Sequence, residues 1–332
     1  MAALIALADR ARNSSYRAAM RVAPLRVVLL DRQRRLTALS AVSLIIATAL
    51  ALREPIASLF FGAALLGVPH LISGARHVGV RRKLSALTRW CAGGAFAVGL
   101  AVVCGIGGEW AWPALISLMG LGALREARGR PLMSLGVASL TATMALVPLV
   151  SILAVSHLHA LSSVAWVAKA SRQRGLTVWP LVAGAGLLTA LALAGIFDPL
   201  MSETPWVPER AFQSILDELQ LSGAGAGPVW LKRTVFIYAL GQSLHYAVWL
   251  RLMPEVDRTT PNPKPFAIQL ASLREDLGRW FWPALTIAAI AAPAMLLGQG
   301  AARQLYFTLS FFHVGLEAAG LLAPTRIGRG PQ

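Results

Sequence analysis

Cysteine is nearly missing from this chain: Cys91 and Cys104 are the only two, and both fall within one apolar stretch. That rules out a disulfide framework or a cysteine-rich metal site and leaves the pair as packing residues. Charge is scarce too. Charged residues make up 14% of the sequence, against about 25% in a soluble domain. Acidic residues number only 15 against 31 lysines and arginines. The sequence holds no glycine-rich phosphate loop, nucleotide motif, low-complexity tract or clear internal repeat. A Cys-x-x-Cys-His run is absent, which excludes covalently attached haem. No stretch has the small-residue cleavage pattern of a secretory signal.

Apolar side chains fill the space these absences leave. Hydrophobic residues reach 56% and the mean hydropathy is +0.60. They run in long uncharged blocks, which a soluble core does not need. The expected architecture is therefore all-α, a polytopic transmembrane helix bundle. The formal net charge of +16 sits in short segments between the blocks, a topogenic pattern rather than a nucleic-acid footprint, so no nucleic-acid partner is expected.

Ten apolar blocks can be drawn: 37–52, 55–75, 90–108, 110–124, 131–147, 149–168, 178–197, 231–252, 280–299 and 304–323. Residues 131–168 carry no Lys, Arg, Asp or Glu. As one helix they would span about 57 Å, nearly twice the hydrocarbon core of a bilayer. Two helices turning near Pro148 fit better. With that division and the N-terminus inside, 26 of the 31 cations fall on the inner side, as the positive-inside rule requires. The reading is about 10 crossings (8–10) with both termini cytoplasmic, in a bacterial inner membrane. Residues 1–35 form a basic cytoplasmic flank with eight arginines and some amphipathic character. Residues 36–325 form a single transmembrane domain, and 326–332 a cytoplasmic tail. Within the domain, 198–230 reads as an external loop with a short amphipathic helix over Glu209 to Leu221. Residues 253–279 read as a solvated cytoplasmic loop rich in proline.

Six histidines remain to be explained. His70, His157, His159, His245 and His313 lie inside apolar blocks, and His77 just past one. An imidazole in hydrocarbon is costly without a partner, so it marks function by default. A single one would more often be a helix–helix hydrogen bond; four on four helices point to a shared site. The blocks carrying His70, His157/His159, His245 and His313 all run outside to inside in this topology, with depths differing by about 8 Å or less. Imidazole suits Fe, Cu, Zn and Ni, and facing helices of a bundle can build such a site. His157 and His159 are about 200° apart around a helix, so one of them faces the centre, and His159 is the better candidate. His157 is an alternate. His77 reads as an interfacial residue. Glu317 lies one turn after His313 on the same face and is the only carboxylate in the ten blocks. It could ligate, orient His313, act in proton transfer, or sit protonated against a neighbour. Gln242 and Tyr246 flank His245 as potential outer hydrogen-bonding partners.

The motifs GVPHLISG around His70, SHLHALSS around His159, QSLHYAVWLR around His245 and FFHVGLEAAG around His313 resemble, in order, those of the Brp/Blh family of bacterial membrane β-carotene 15,15'-dioxygenases. The resemblance spans residues 62 to about 323. It implies a membrane helix bundle holding non-haem Fe(II), with His70, His159 and His245 among the ligands. Where that family carries aspartates one turn after its first two histidines, this chain has Gly74 and Ser163. The second histidine of the family's third motif falls at Trp249. His313 or Glu317 would then complete the set.

The expected function is a membrane-embedded, histidine-ligated non-haem iron oxygenase acting on a carotenoid or another isoprenoid or lipid that enters from the bilayer. A multi-pass transporter, a haem-binding electron carrier and a non-catalytic accessory protein with a decayed metal site are the alternatives. The scarcity of intramembrane acids and of any inverted repeat weighs against transport.

Overall fold

The computed structural model describes residues 2–80, 84–106, 110–146, 148–201, 228–258, 265–297 and 300–323. Among them there is helix and no strand. Helices α1 (Ala2–Arg21) and α2 (Ala23–Leu30) precede α3 (Arg32–Arg53). The next rod runs through α4 (Pro55–Phe61), a π turn (Gly62–Leu66), α5 (Gly67–Gly74) and a second π turn (Ala75–Val80). Then come α6 (Ala86–Val103), α7 (Ala111–Ala127), α8 (Pro131–Leu146), α9 (Pro148–Arg172) and α10 (Trp179–Leu193). After the undescribed 202–227 follow α11 (Pro228–Ala247), a π turn (Val248–Leu252), α12 (Met253–Asp257), α13 (Phe266–Leu277), α14 (Phe281–Leu296) and α15 (Gly300–Leu322).

Each of the ten apolar blocks coincides with one of these helical rods. Proline supplies much of the punctuation. Pro55, Pro131, Pro148 and Pro228 each open a helix, where the missing N–H has no intrahelical partner to lose. The uncharged stretch 131–168 does divide at Pro148. Elsewhere the caps are polar: Asp31 accepts from the Arg34 backbone N–H at the start of α3, and Ser85 from that of Thr88 at the start of α6.

One expectation needs correcting. Residues 253–279 contain two helices, α12 and α13, in their described part rather than a continuous loop. Pro254 and Pro265 sit at the starts of these helices, so they begin helix instead of breaking it. The basic flank likewise folds as α1 and α2. The short helix expected over Glu209 to Leu221 and the tail 326–332 lie outside the described residues.

The core is built around α11, which packs on α3, α4, α9 and α10, while α15 packs on α5, α6, α7 and α9. Phe236, Leu240, Leu244, Trp166, Leu181 and Leu36 fill the space between them. The outside is apolar. Helix α8 has no charged and no buried residue, and Leu132 and Leu146 at its ends are 86% and 81% exposed. Exposed apolar side chains in this number mark a surface that meets a membrane or another protein. Among the described residues, three helices are long and apolar enough to cross a membrane: Arg32–Arg53, Pro55–Val78 and Phe266–Leu296. Shorter apolar helices include Ala86–Val102, Pro131–Leu146, Trp179–Leu193 and Phe312–Leu322.

Polar groups gather at one end of the bundle. Arg35 and Glu255, both buried, pair at 2.8 Å, and Arg258 reaches the other Glu255 oxygen at 2.8 Å. Arg32 donates to the carbonyls of Glu255 and Val256. His77 Nδ1 lies 2.8 Å from Asp257, which also pairs with Arg174. Four segments that the charge bias placed on the inner side thus meet on one face.

Candidate metal centre

Four helices, α11 and α15 among them, each bring one histidine inward. His70 comes from α5, His159 from α9, His245 from α11 and His313 from α15. All four are buried, and one ligand atom from each can be chosen so that all lie within 4.8 Å of one another. The His70 ring meets those of His245 and His313 edge to face at 4.9 and 5.0 Å, and the His159 ring lies tilted 4.2 Å from that of His245, centroid to centroid. This buried group could bind a metal ion.

The unsatisfied atoms test that fit. A neutral imidazole has one donor and one acceptor nitrogen, and burial normally demands partners for both. His70 Nδ1 lies 3.3 Å from the Leu66 carbonyl oxygen, in the register of an N–H donor, while its Nε2 has no partner. Both nitrogens of His245 and of His313, together with His159 Nδ1, are buried without a hydrogen bond. So many orphaned lone pairs converging in one buried volume are what a coordinated cation would satisfy. The His70 arrangement, with one nitrogen fixed by a carbonyl and the other free toward the centre, is the usual way a ligand imidazole is oriented.

Glu317 completes the cluster from below. Its side chain is fully buried. Its Oε1 lies 2.6 Å from His313 Nε2 and 4.0 Å from His245 Nε2, and its Oε2 lies 3.2 Å from His159 Nδ1. Ser162 Oγ lies 2.7 Å from the His159 carbonyl oxygen and 3.3 Å from Oε2, so its one proton is shared between the two acceptors. Although His313 is close, Oε1 makes no hydrogen bond, because the contact is off the line that a ring N–H needs. The Trp166 indole N–H donates to the Glu317 carbonyl oxygen at 3.0 Å and fixes that turn of α15 on α9.

Several supporting residues escape a reading of the sequence alone. A β-carbon at Gly74 would lie 1.9 Å from His313 Cε1, so the side chain missing there is what admits the His313 ring. The structure also accounts for Trp249: it is buried 6.0 Å from His313 and 6.3 Å from His77, and the fourth histidine comes from α15 instead. Ser163 turns back on α9, donating to the Ala160 carbonyl. Tyr246 packs 4.9 Å from the His70 ring, and its hydroxyl lies 3.0 Å from that of Tyr306. The two phenol rings seat against Gly62 and Gly67, where β-carbons would approach them to 2.8 and 2.5 Å. These glycines bracket the π turn before His70. The one available signal for Tyr306 was its position two turns before His313 on the same helix.

His157 is not part of the centre. Its ring faces Tyr238 at 5.4 Å and lines an apolar cleft with Val164, Thr189, Leu240 and Leu244. His77 is buried within the charged knot rather than at an open interface.

Among the described residues the fold and site together define an all-helical bundle with a buried histidine and carboxylate cluster at its centre. No protein-family model, curated protein or solved structure matches the chain.

Proposed function

We propose that this protein is a multi-pass enzyme of the bacterial inner membrane, a non-haem iron oxygenase acting on a carotenoid or another apolar isoprenoid or lipid. The proposed arrangement has about ten crossings with both termini cytoplasmic. The observation that carries the reading is the set of orphaned imidazole nitrogens from four helices around one buried point. A site of imidazoles and carboxylate without thiolates suits iron. The motif resemblance to the Brp/Blh family supports the same choice and suggests an alkene as the reacting group.

Ferrous iron held there supplies a redox-active ion able to bind dioxygen next to an alkene. The chain's own residues do the rest. Leu66 fixes the His70 ring, and Ser162 shares its proton with one oxygen of Glu317. Tyr246, Trp249 and the aliphatic helix faces exclude water. The exposed apolar flanks of the bundle suit delivery of a substrate from the hydrocarbon layer rather than from water.

The test is elemental analysis of detergent-purified protein, prepared iron-replete and free of chelator, beside a His70→Ala/His245→Ala double variant. Near-stoichiometric iron is expected in the wild type and little in the variant, with cleavage of an added carotenoid following the iron. Metal-free wild type would end the oxygenase reading and favour transport or an accessory role. Another metal at full occupancy would end the assignment of iron.

A further inference from the structure

We infer that Glu317 is a fifth protein ligand of the centre, so that a six-coordinate ion keeps a single open position. The inference rests on the metal-centre reading above and goes beyond the four histidines.

The argument begins with charge. Glu317 is fully buried on α15, and its side-chain neighbours are His159, His245, His313 and Ser162. None of these carries a fixed positive charge. A buried carboxylate requires a compensating cation or a proton, and the four histidines around it are themselves short of partners. One divalent ion satisfies the carboxylate and the imidazoles together.

The two oxygens behave differently. Oε2 shares the Ser162 hydroxyl proton with the His159 carbonyl and lies beside His159 Nδ1. Oε1 has no hydrogen bond, yet it sits 2.6 Å from His313 Nε2 and 4.0 Å from His245 Nε2. Donor atoms about 2.1 Å from a common ion are about 3 Å apart at right angles and about 4.2 Å apart when opposed. The 4.0 Å approach falls near the opposed spacing, and the 2.6 Å approach, shorter than the right-angle one, opens by a few tenths of an ångström when both atoms bind the ion. The four histidines spread to 4.8 Å, wider than the roughly 3.4 Å edge of a tetrahedral nitrogen site and somewhat beyond the about 4.2 Å of opposed donors. Loading an ion therefore draws the rings inward, and a spread of this size is nearer to a set of higher coordination number than to a tetrahedron.

The consequence concerns the substrate. A facial triad of two histidines and one carboxylate leaves three positions, enough for dioxygen and a chelating co-substrate. Five protein donors leave one. Dioxygen and a chelating substrate cannot then occupy the ion together, so the organic substrate must be held by the protein. That fits a molecule with no ligating group near the reacting bond, such as a hydrocarbon polyene, and disfavours keto acids and catechols.

The experiment uses the full chain in detergent, loaded anaerobically with Fe(II) or Co(II). Wild type, Glu317→Gln and Glu317→Ala are compared by metal affinity and by X-ray absorption. On wild type alone, the carboxylate region of the infrared difference spectrum, loaded minus metal-free, is recorded. We expect a carboxylate shift on loading in the wild type. Affinity should fall by about 100-fold or more, at or beyond the upper end of what losing an outer partner costs. Exchangeable solvent positions should rise from one to two in Glu317→Ala. A flat carboxylate region in metal-loaded wild type would overturn the inference even if the variants fail to fold. So would variants with unchanged affinity and donor set, and Glu317 would then be a positioning residue for His159 and His313. Wild type that takes up neither metal would overturn this inference together with the metal-centre reading.

Discussion

At Gly74 a single hydrogen atom in place of a methyl decides whether His313 can reach the centre. Gly74→Ala would force its β-carbon into the imidazole, an overpacking that costs about 1–3 kcal/mol, and it should displace the ring. The expected outcome is loss of bound metal together with a lower unfolding temperature, read by elemental analysis and thermal denaturation. Gly93, where a β-carbon meets nothing within 4 Å, is the control: Gly93→Ala should be neutral or stabilising by up to about 1 kcal/mol. The contrast shows what sequence could and could not convey. Histidines in apolar blocks announce themselves because burial makes them costly, and Glu317 stands out as the one acid. Ser162, Tyr306 and Gly74 are common residue types whose roles depend on which helix faces which, a matter of rotation and pairing that the one-dimensional pattern does not hold. Gly74 looked like a missing aspartate and is instead the space for a ring on another helix.

Long apolar blocks and the proline at 148 located every rod that carries one of the four clustered histidines, and four of the segments between those blocks that hold the cations meet at the charged end. The π turns were not legible, since a one-residue widening of a helix leaves no compositional trace. They flank α5 on both sides and follow α11, and mid-helix π turns often accompany functional sites. The charged knot is also a test of the fold. Glu255→Gln would leave the Arg35 guanidinium buried without its counter-charge, and breaking a buried pair in this way costs about 3–5 kcal/mol. The prediction is a large loss of thermal stability with metal content per folded molecule unchanged. At the other end, Arg233 grips Asp198 with a contact at 2.6 Å and, through that hydrogen bond, holds the Asp198 carboxyl below its ordinary value. A carboxylate whose folded-state value is depressed contributes stability above its unfolded value and loses it as pH falls through the folded one. The corner between α10 and α11 should therefore stay closed through mildly acidic pH and open only below the usual aspartate range. Hydrogen exchange at that corner as a function of pH checks this, and Asp198→Asn should abolish the dependence.

For the molecule as a whole, the distribution of polarity is the reverse of a soluble protein's: imidazoles and a carboxylate inside, leucine and tryptophan outside. Such an interior is poorly satisfied unless the centre is filled, so metal should be a stabilising ligand of the entire bundle. At free metal about 100-fold above its dissociation constant, binding adds about 2.7 kcal/mol. Chelation should lower the unfolding temperature of the wild type in detergent and leave the His70→Ala/His245→Ala variant unmoved. An equal response in both would place the metal elsewhere.

The four histidines and Glu317 also set a clock for biogenesis. His70 is synthesised 247 residues before Glu317, which at roughly 5–20 residues per second is a delay of about 10–50 s. In the proposed multi-pass arrangement, the helices bearing His70, His159 and His245 lodge in the bilayer during that interval with no completed site between them. Tight loading of an ion would then follow insertion of α15, and any accessory delivery of metal would act on a nearly finished bundle rather than on the emerging chain.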